Sequence, residues 1–214
     1  MVAEIGEEAF SNCQAITSVI IPNSVTKIGM GAFSHCLGLT SVTISNLVTE
    51  ISVEVFKGCA ELTKVEIPNS VTEIMEGAFE DCTGLTSLTI PNSVIMIRGG
   101  AFSGCIGLES IVIPNSVTDM DFFAFEDCRN LSSVTISNSV NRIGSNAFSG
   151  CSGLKSIISE ILDPQNVIYG DDLVRGNVDS KVSIFEGVDK DICILTIPSG
   201  SLERYKSTFP WYSL

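Results

Sequence analysis

A phenylalanine recurs every 23 residues, at Phe10, Phe33, Phe56, Phe79, Phe102, Phe125 and Phe148. Cysteine keeps the same step at Cys13, Cys36, Cys59, Cys82, Cys105, Cys128 and Cys151. A fixed period in the twenties, held by two residue types through seven copies, marks a solenoid in which each repeat is one coil stacked on the last. The stretch Leu85–Gly107 is the unit, and most of the chain is copies of it.

We number the unit from its leucine, so that Leu85 is position 1. Position 1 is Ile16, Leu39, Leu62, Leu85, Leu108, Leu131 and Leu154. Position 4 is Val19, Val42, Val65, Leu88, Ile111, Val134 and Ile157, and position 6 is Ile from Ile21 to Ile136. Apolar residues at 4 and 6 alternate with polar ones, which is strand periodicity. Pro22, Pro68, Pro91 and Pro114 end that strand at position 7, because proline has no N–H to give a ladder. Asn and Ser at positions 8 and 9 supply turn chemistry. Val at position 10 and Ile or Met at position 13 predict a second short strand. The segment typified by Ala78-Phe79-Glu80-Asp81-Cys82 predicts one helical or 3₁₀ turn. Gly38, Gly84, Gly107, Gly153 and Asn130, just before the next leucine, predict a left-handed corner. The fold class expected is therefore a β-rich right-handed solenoid with two short strands and one short helical or 3₁₀ turn per repeat. Its inward columns bury one another only by stacking, and the phenylalanines form one aromatic pile.

The pattern L-x-S-V-x-I-P-x-S-V-x-x-I-x-x-x-A-F-x-x-C resembles the BspA-like leucine-rich repeat of bacterial surface antigens. The resemblance covers about residues 2–158 and departs from the standard leucine-rich repeat at position 9, where Ser24, Leu47, Ser70, Ser93, Ser116 and Ser139 stand for the usual Asn or Cys. It implies a cell-surface or secreted protein that binds other macromolecules.

After Ile158 the period breaks, and the next equivalent phenylalanine is Phe185, 37 residues on rather than 23. Pro164, Asn166, Tyr169, Gly170, Asp171, Asp172 and Gly176 mark the excursion as a long loop or small hairpin. Cys193, Leu195 and Ile197 then alternate inward. Residues 201–208 predict a short helix with Leu202, Tyr205 and Phe209 on one face, stopped by Pro210 and followed by Trp211 and Tyr212. We read residues 1–158 as about seven repeats, the first incomplete, and 159–214 as an elongated degenerate repeat and C-terminal cap of the same domain. The chain opens in mid-repeat with no signal peptide, so a fragment of a longer protein is expected.

With 25 acidic and 12 basic residues the net charge is −13, which disfavours nucleic acid and anionic membrane surfaces as partners. Apolar residues never run to the roughly 18 that a membrane span needs. Cysteines 23 apart do not have zinc-site spacing, and parallel side chains in a stack stay too far apart for easy disulfides, so buried free thiols acting as small hydrophobes are expected. His35 beside Cys36 suggests a Cys–His pair, but Cys36 belongs to the inward column and His35 to an outward one. Glu80-Asp81 and Glu126-Asp127 lie two coils, or ~10 Å, apart, which is too far for one ion. No cofactor, metal site or catalytic constellation is expected, and the chain reads as not an enzyme.

What remains is the outward face of the first sheet. Short hydroxyls at positions 3 and 5 are broken by Ile20, Lys64, Glu66 and Val112. We place a protein-binding site on Lys64, Glu66, Thr89 and Val112, on three successive coils. The function expected is a non-catalytic recognition or adhesion module for a protein or other macromolecule, such as a host matrix protein. A structural spacer of a surface protein and a cytosolic interaction scaffold are the alternatives. Oligomeric state is not legible.

Overall fold

The computed structural model describes residues 2–170 and 184–208. Asp171, Asp172 and Gly176 of the expected excursion, and Phe209, Pro210, Trp211 and Tyr212 of the expected cap, lie outside the described residues. All strand pairing is parallel, and through Ser159 it keeps the 23-residue register, as in Ser133↔Ser110 and Met120↔Ile97. The alternation at positions 4 and 6 yields the first sheet. It runs through Ser18–Ile20, Ser41–Thr43 and Lys64–Glu66, and again through Ser110–Ile113, Ser133–Ile136, Ser156–Ser159 and Ile194–Thr196. The two-residue strands at positions 12 and 13 form the second sheet, six strands from Glu50–Ile51 to Ile168–Tyr169, with Glu4–Ile5 and Lys27–Ile28 paired separately.

Between the sheets the inward columns make one continuous core. Eight phenylalanine rings, from Phe10 to Phe185, stack with neighbouring centroids 5.1 to 5.8 Å apart. Each stacked pair adds about 0.5–1.5 kcal/mol to the burial of its rings.

The third side of each coil is built from 3₁₀-type turns. Ala78, Glu80 and Cys82 donate three residues back, to the carbonyls of Met75, Gly77 and Phe79. The residues between them, Gly77, Phe79 and Asp81, donate instead to Gly99, Ala101 and Ser103 of the next coil. Turn and ladder are thus interleaved, and no backbone N–H of this segment is left over.

The left-handed corners are not where the glycines predicted them. None of Gly38, Gly84, Gly107, Gly153 and Asn130 has a positive φ. Within the regular repeats the left-handed residues are at position 16, from Glu8 to Asn146 with Phe123 among them, and at position 20, from Asn12 to Gly150. Glycine recurs at position 23 for a different reason, which is close approach. A Cβ on Gly153 would lie 2.4 Å from the carbonyl oxygen of Arg129 in the preceding coil. Ala15, Glu61 and Asn130 hold the same column in other coils.

The break after Ile158 is partly regular. Pro164–Asn166 form a 3₁₀ turn capped by Asp163, and Ile168–Tyr169 rejoins the second sheet against Arg142–Ile143. Phe185 stacks on Phe148, and Ile194–Thr196 closes the first sheet. The expected helix spans Leu202–Lys206. Tyr205 is its buried anchor, bonded to Ser159 and to the carbonyl of Ile161, whereas Leu202, expected on the same inward face, is exposed.

Candidate functional site

The first sheet is interrupted at its middle. Strands form in the coils before and after, but none forms over residues 87–89. Leu88 stands there at position 4, where its neighbours are Val65 and Ile111, and a γ-branched side chain fits a pleated surface less well than a β-branched one. Val65 and Ile111 are buried, while Leu88 is only partly so. The bond from the Glu109 N–H to the Thr86 carbonyl is stretched to 3.4 Å, against 2.8 Å for the equivalent Ser132–Glu109 bond one coil on.

Over this interruption lies a groove of about 770 Å³, and Lys64, Glu66, Thr89 and Val112 all line it. The four residues placed on this face from the sequence are therefore brought together. Lys64 and Glu66 alternate outward on one strand, and the Lys64 Nζ meets Glu66 Oε1 at 2.8 Å. Each holds the other's charge: the Glu66 carboxylate raises the lysine, and the ammonium lowers the carboxyl. Both side chains are more than two-thirds exposed, so solvent screens the pair and leaves it available to a partner.

The groove has a second bank that the sequence reading missed. Asn69 and Asn92, at position 8, also line it, with Pro91 and Pro114. A further basin of about 430 Å³ adjoins it on the N-terminal side, lined by Ile20, Thr43, Asn46 and again Glu66 and Asn69. The signal for this arrangement is in the sequence. Position 5 alternates by coil: Ile20, Glu66, Val112 and Ile158 in one set, Thr43, Thr89 and Thr135 in the other. Each basin sits over a threonine and between two of the larger side chains.

The cysteines are all free thiols, and the six from Cys36 to Cys151 are buried. They do more than fill space. Each donates through sulfur to the phenylalanine carbonyl of the preceding coil, as Cys59 Sγ does to Phe33 at 3.2 Å. Burial pushes the Cys59 and Cys105 thiols up to about 12, so the nucleophilic thiolate is suppressed. His35 is exposed with a φ of 56°, while Cys36 turns inward to the Phe10 carbonyl. The acidic edge is partly neutralised, with Lys57 bridging Glu54 and Glu80 at 3.1 and 3.0 Å and Arg129 meeting Asp127. Among the described residues no group of three His, Cys, Asp or Glu is placed to hold a metal ion, and no helix is long and apolar enough to cross a membrane.

Parallel coils of 23 residues around a Leu, Ile, Val and Phe core, with an open sheet on one side, define a leucine-rich repeat solenoid. The model of the BspA-type leucine-rich repeat region matches residues 1–98 and 72–168, in six copies, and the chain belongs to that family. Among solved structures it is similar to a leucine-rich cell surface protein of Faecalibacterium prausnitzii A2-165, with 41% identity and a TM-score of 0.68 over 74% of this chain and 43% of that one. It is also similar to a leucine-rich repeat protein of Bacteroides ovatus ATCC 8483, with 26% identity and a TM-score of 0.67 over 93% and 55%. A third is the leucine-rich repeat protein of T. pallidum, with 26% identity and a TM-score of 0.59 over 89% and 73%. The chain thus spans about half the length of the first two relatives. No curated protein matches it.

Proposed function

We propose that this protein is a non-catalytic recognition module that binds a protein partner through the outward face of its first sheet, centred on Lys64, Glu66, Thr89 and Val112. The observation that carries the reading is that these four exposed residues line one groove, where the sheet departs from regularity. A charged pair beside an apolar side chain discriminates between partners in a way that a uniform row of hydroxyls does not. The similarity to a cell surface protein supports a surface or secreted location, where a host matrix protein is the class of ligand we favour. Residues 159–214 complete the same domain as its C-terminal cap, a role supported by the Tyr205 anchor. The test is binding by Lys64→Ala and Glu66→Ala variants to matrix proteins presented on a sensor surface. Weakened binding at an unchanged melting temperature supports the face. Full binding by both variants, with loss from changes at Thr26, Thr49 and Thr72 on the second sheet, refutes it.

A further inference from the structure

On the side of the solenoid built from 3₁₀-type turns, two phenylalanines stand where the repeat does not call for them. Position 15 is Gly99 in the coil before and Ser145 in the coil after, and position 16 is Gly100 and Asn146. In the coil between, these places hold Phe122 and Phe123. Phe123 has a φ of 57°, a left-handed backbone that a bulky aromatic residue rarely adopts. Phe122 is 37% exposed, unlike the buried rings from Phe33 to Phe148. The two rings meet edge to face with centroids 5.6 Å apart, and neither belongs to the core.

Both line a groove of about 370 Å³. Glycine makes the room. A Cβ on Gly99 would lie 2.6 Å from the Phe122 ring, so the ring rests on the preceding coil only because Gly99 has no side chain. A Cβ on Gly100 would meet nothing nearer than Ser103 at 3.9 Å, which leaves that part of the groove open. Every charged residue that lines it is acidic: Glu54, Glu76, Glu80 and Glu126. Lys57 holds Glu54 and Glu80. Among the described residues Glu76 and Glu126 enter no ion pair. Glu126 is half-buried, and its burial, with Asp127 and Glu80 near it, pushes its carboxyl up. A carboxylate in that setting gains from a cation.

Exposed carboxylates alone are a solvated edge. Carboxylates beside exposed aromatic rings are complementary to a cation with a flat face. Among protein side chains that is arginine. Its guanidinium lies against a ring and offers paired N–H donors to a carboxylate, whereas the lysine ammonium is a strongly hydrated point charge. We infer that this groove is a second docking site, which takes an arginine side chain of a partner polypeptide, its guanidinium stacked on the Phe122–Phe123 pair and bonded to Glu126. Free arginine would bring its own carboxylate among four others, and within a peptide that charge is absent. The net charge of −13 attracts a basic partner from a distance as well. The groove lies on a different side of the solenoid from the first sheet, so it stands or falls independently of the recognition face proposed above.

The test is titration with the peptide acetyl-Gly-Ser-Gly-Arg-Gly-Ser-Gly-amide, followed by NMR at the two phenylalanine rings. Peptides with lysine or citrulline in place of arginine, and free arginine, run beside it. Citrulline keeps the shape and loses the charge. The variants borrow residues from the same columns of neighbouring coils: Glu126→Ser copies Ser103 and Ser149, and Phe122→Ser copies Ser145. Glu109→Ser, copying Ser132, removes an equal charge from an exposed position outside the groove. Melting curves check that each variant is folded, and Glu126→Ser decides alone if Phe122→Ser is not. The arginine peptide should shift both rings and bind more tightly than the other three ligands. Glu126→Ser and Phe122→Ser should each weaken it about threefold or more, and Glu109→Ser should leave it unchanged. Absence of binding, equal binding by the lysine or citrulline peptide, or an equal loss in Glu109→Ser overturns the inference. Equal binding by free arginine overturns it too, since the occupant would then be a small molecule rather than a polypeptide.

Discussion

The Sγ of Cys105 donates a hydrogen bond to the carbonyl oxygen of Phe79 in the preceding coil, at 3.1 Å. That carbonyl also accepts the N–H of Cys82 in its own coil, at 3.1 Å. The same double use recurs from Cys36 onto Phe10 to Cys128 onto Phe102, and Cys151 makes the same Sγ bond to Phe125. A cysteine is therefore specified here by two demands at once. It must be small enough for a fully packed core, and it must bring a weak donor to a carbonyl lone pair that no backbone N–H reaches.

Thiol accessibility follows from position in the stack. Cys13 in the first coil and Cys193 near the C-terminus are partly exposed, and the other six are buried. Titration of native protein with a thiol reagent should show two reactive groups, with six more appearing only in denaturant. Eight reactive groups in the native state, or fewer than eight after denaturation without reductant, would contradict the unpaired, shielded ladder.

The same burial makes stability fall in alkali. Cys59 and Cys105 ionise at about 12 when folded, against an ordinary 9.0. The unfolded chain then releases protons first, so above pH 9 it binds fewer protons than the native state, and stability declines as pH rises. The contribution is whole below about pH 9 and lost progressively towards pH 12. Cys59→Val introduces the side chain that Val188 already places at the end of this column, and it should flatten the fall of melting temperature between these limits. An identical slope in the variant would show that the thiols do not drive it.

Phenylalanine deletion should report on place in the stack. Phe79 is fully buried and lies between Phe56 and Phe102, at 5.5 and 5.4 Å. Phe79→Ala removes two stacking contacts and leaves a cavity, at a cost of about 3–5 kcal/mol. Phe10 has a ring neighbour on one side only and is 40% exposed, so Phe10→Ala should cost clearly less. Equal losses in chemical denaturation would refute the end effect.

Much of this is legible because a stack multiplies each signal. Val at position 10 or Cys at position 21 is weak alone, but a column of them states which way the side chain points. Legibility fails where the backbone, not the side chain, sets the position. Position 20 carries residue types that tolerate a positive φ, from Asn12 through Asp81 to Gly150, whereas position 16 mixes Gly31, Gly77 and Gly100 with Glu8, Glu54 and Phe123, where intercoil N–H bonds impose the conformation whatever the side chain. Conversely, glycine at position 23 advertises a turn but answers a carbonyl 2.4 to 2.6 Å from where a Cβ would be. Lys64, Glu66 and Val112, on the coils either side of Thr89, stand out because they break a pattern. The basins between them do not, because they depend on the sheet's interruption at Leu88 and on a period of two coils.

The last prediction separates charges that hold the fold from charges free to bind. Asp121 lies between Arg98 and Arg142, with contacts of 3.7 and 3.1 Å, and Arg98 reaches on to Glu73 at 3.0 Å. The Asp121 side chain is 14% exposed and that of Arg142 is 20%, so water cannot replace the carboxylate fully. Asp121→Ala strands a half-buried guanidinium whose Nε already has no partner, and should cost about 1–3 kcal/mol. Lys64 and Glu66 are exposed to 70% and 79%, and removal of either leaves the other in water. Their alanine variants should melt with the parent protein, since exposed pairs contribute little. Thermal melts of the three variants in low salt decide the matter. A loss in Lys64→Ala as large as in Asp121→Ala would make the Lys64–Glu66 pair a structural clasp, and the groove would lose its free charges.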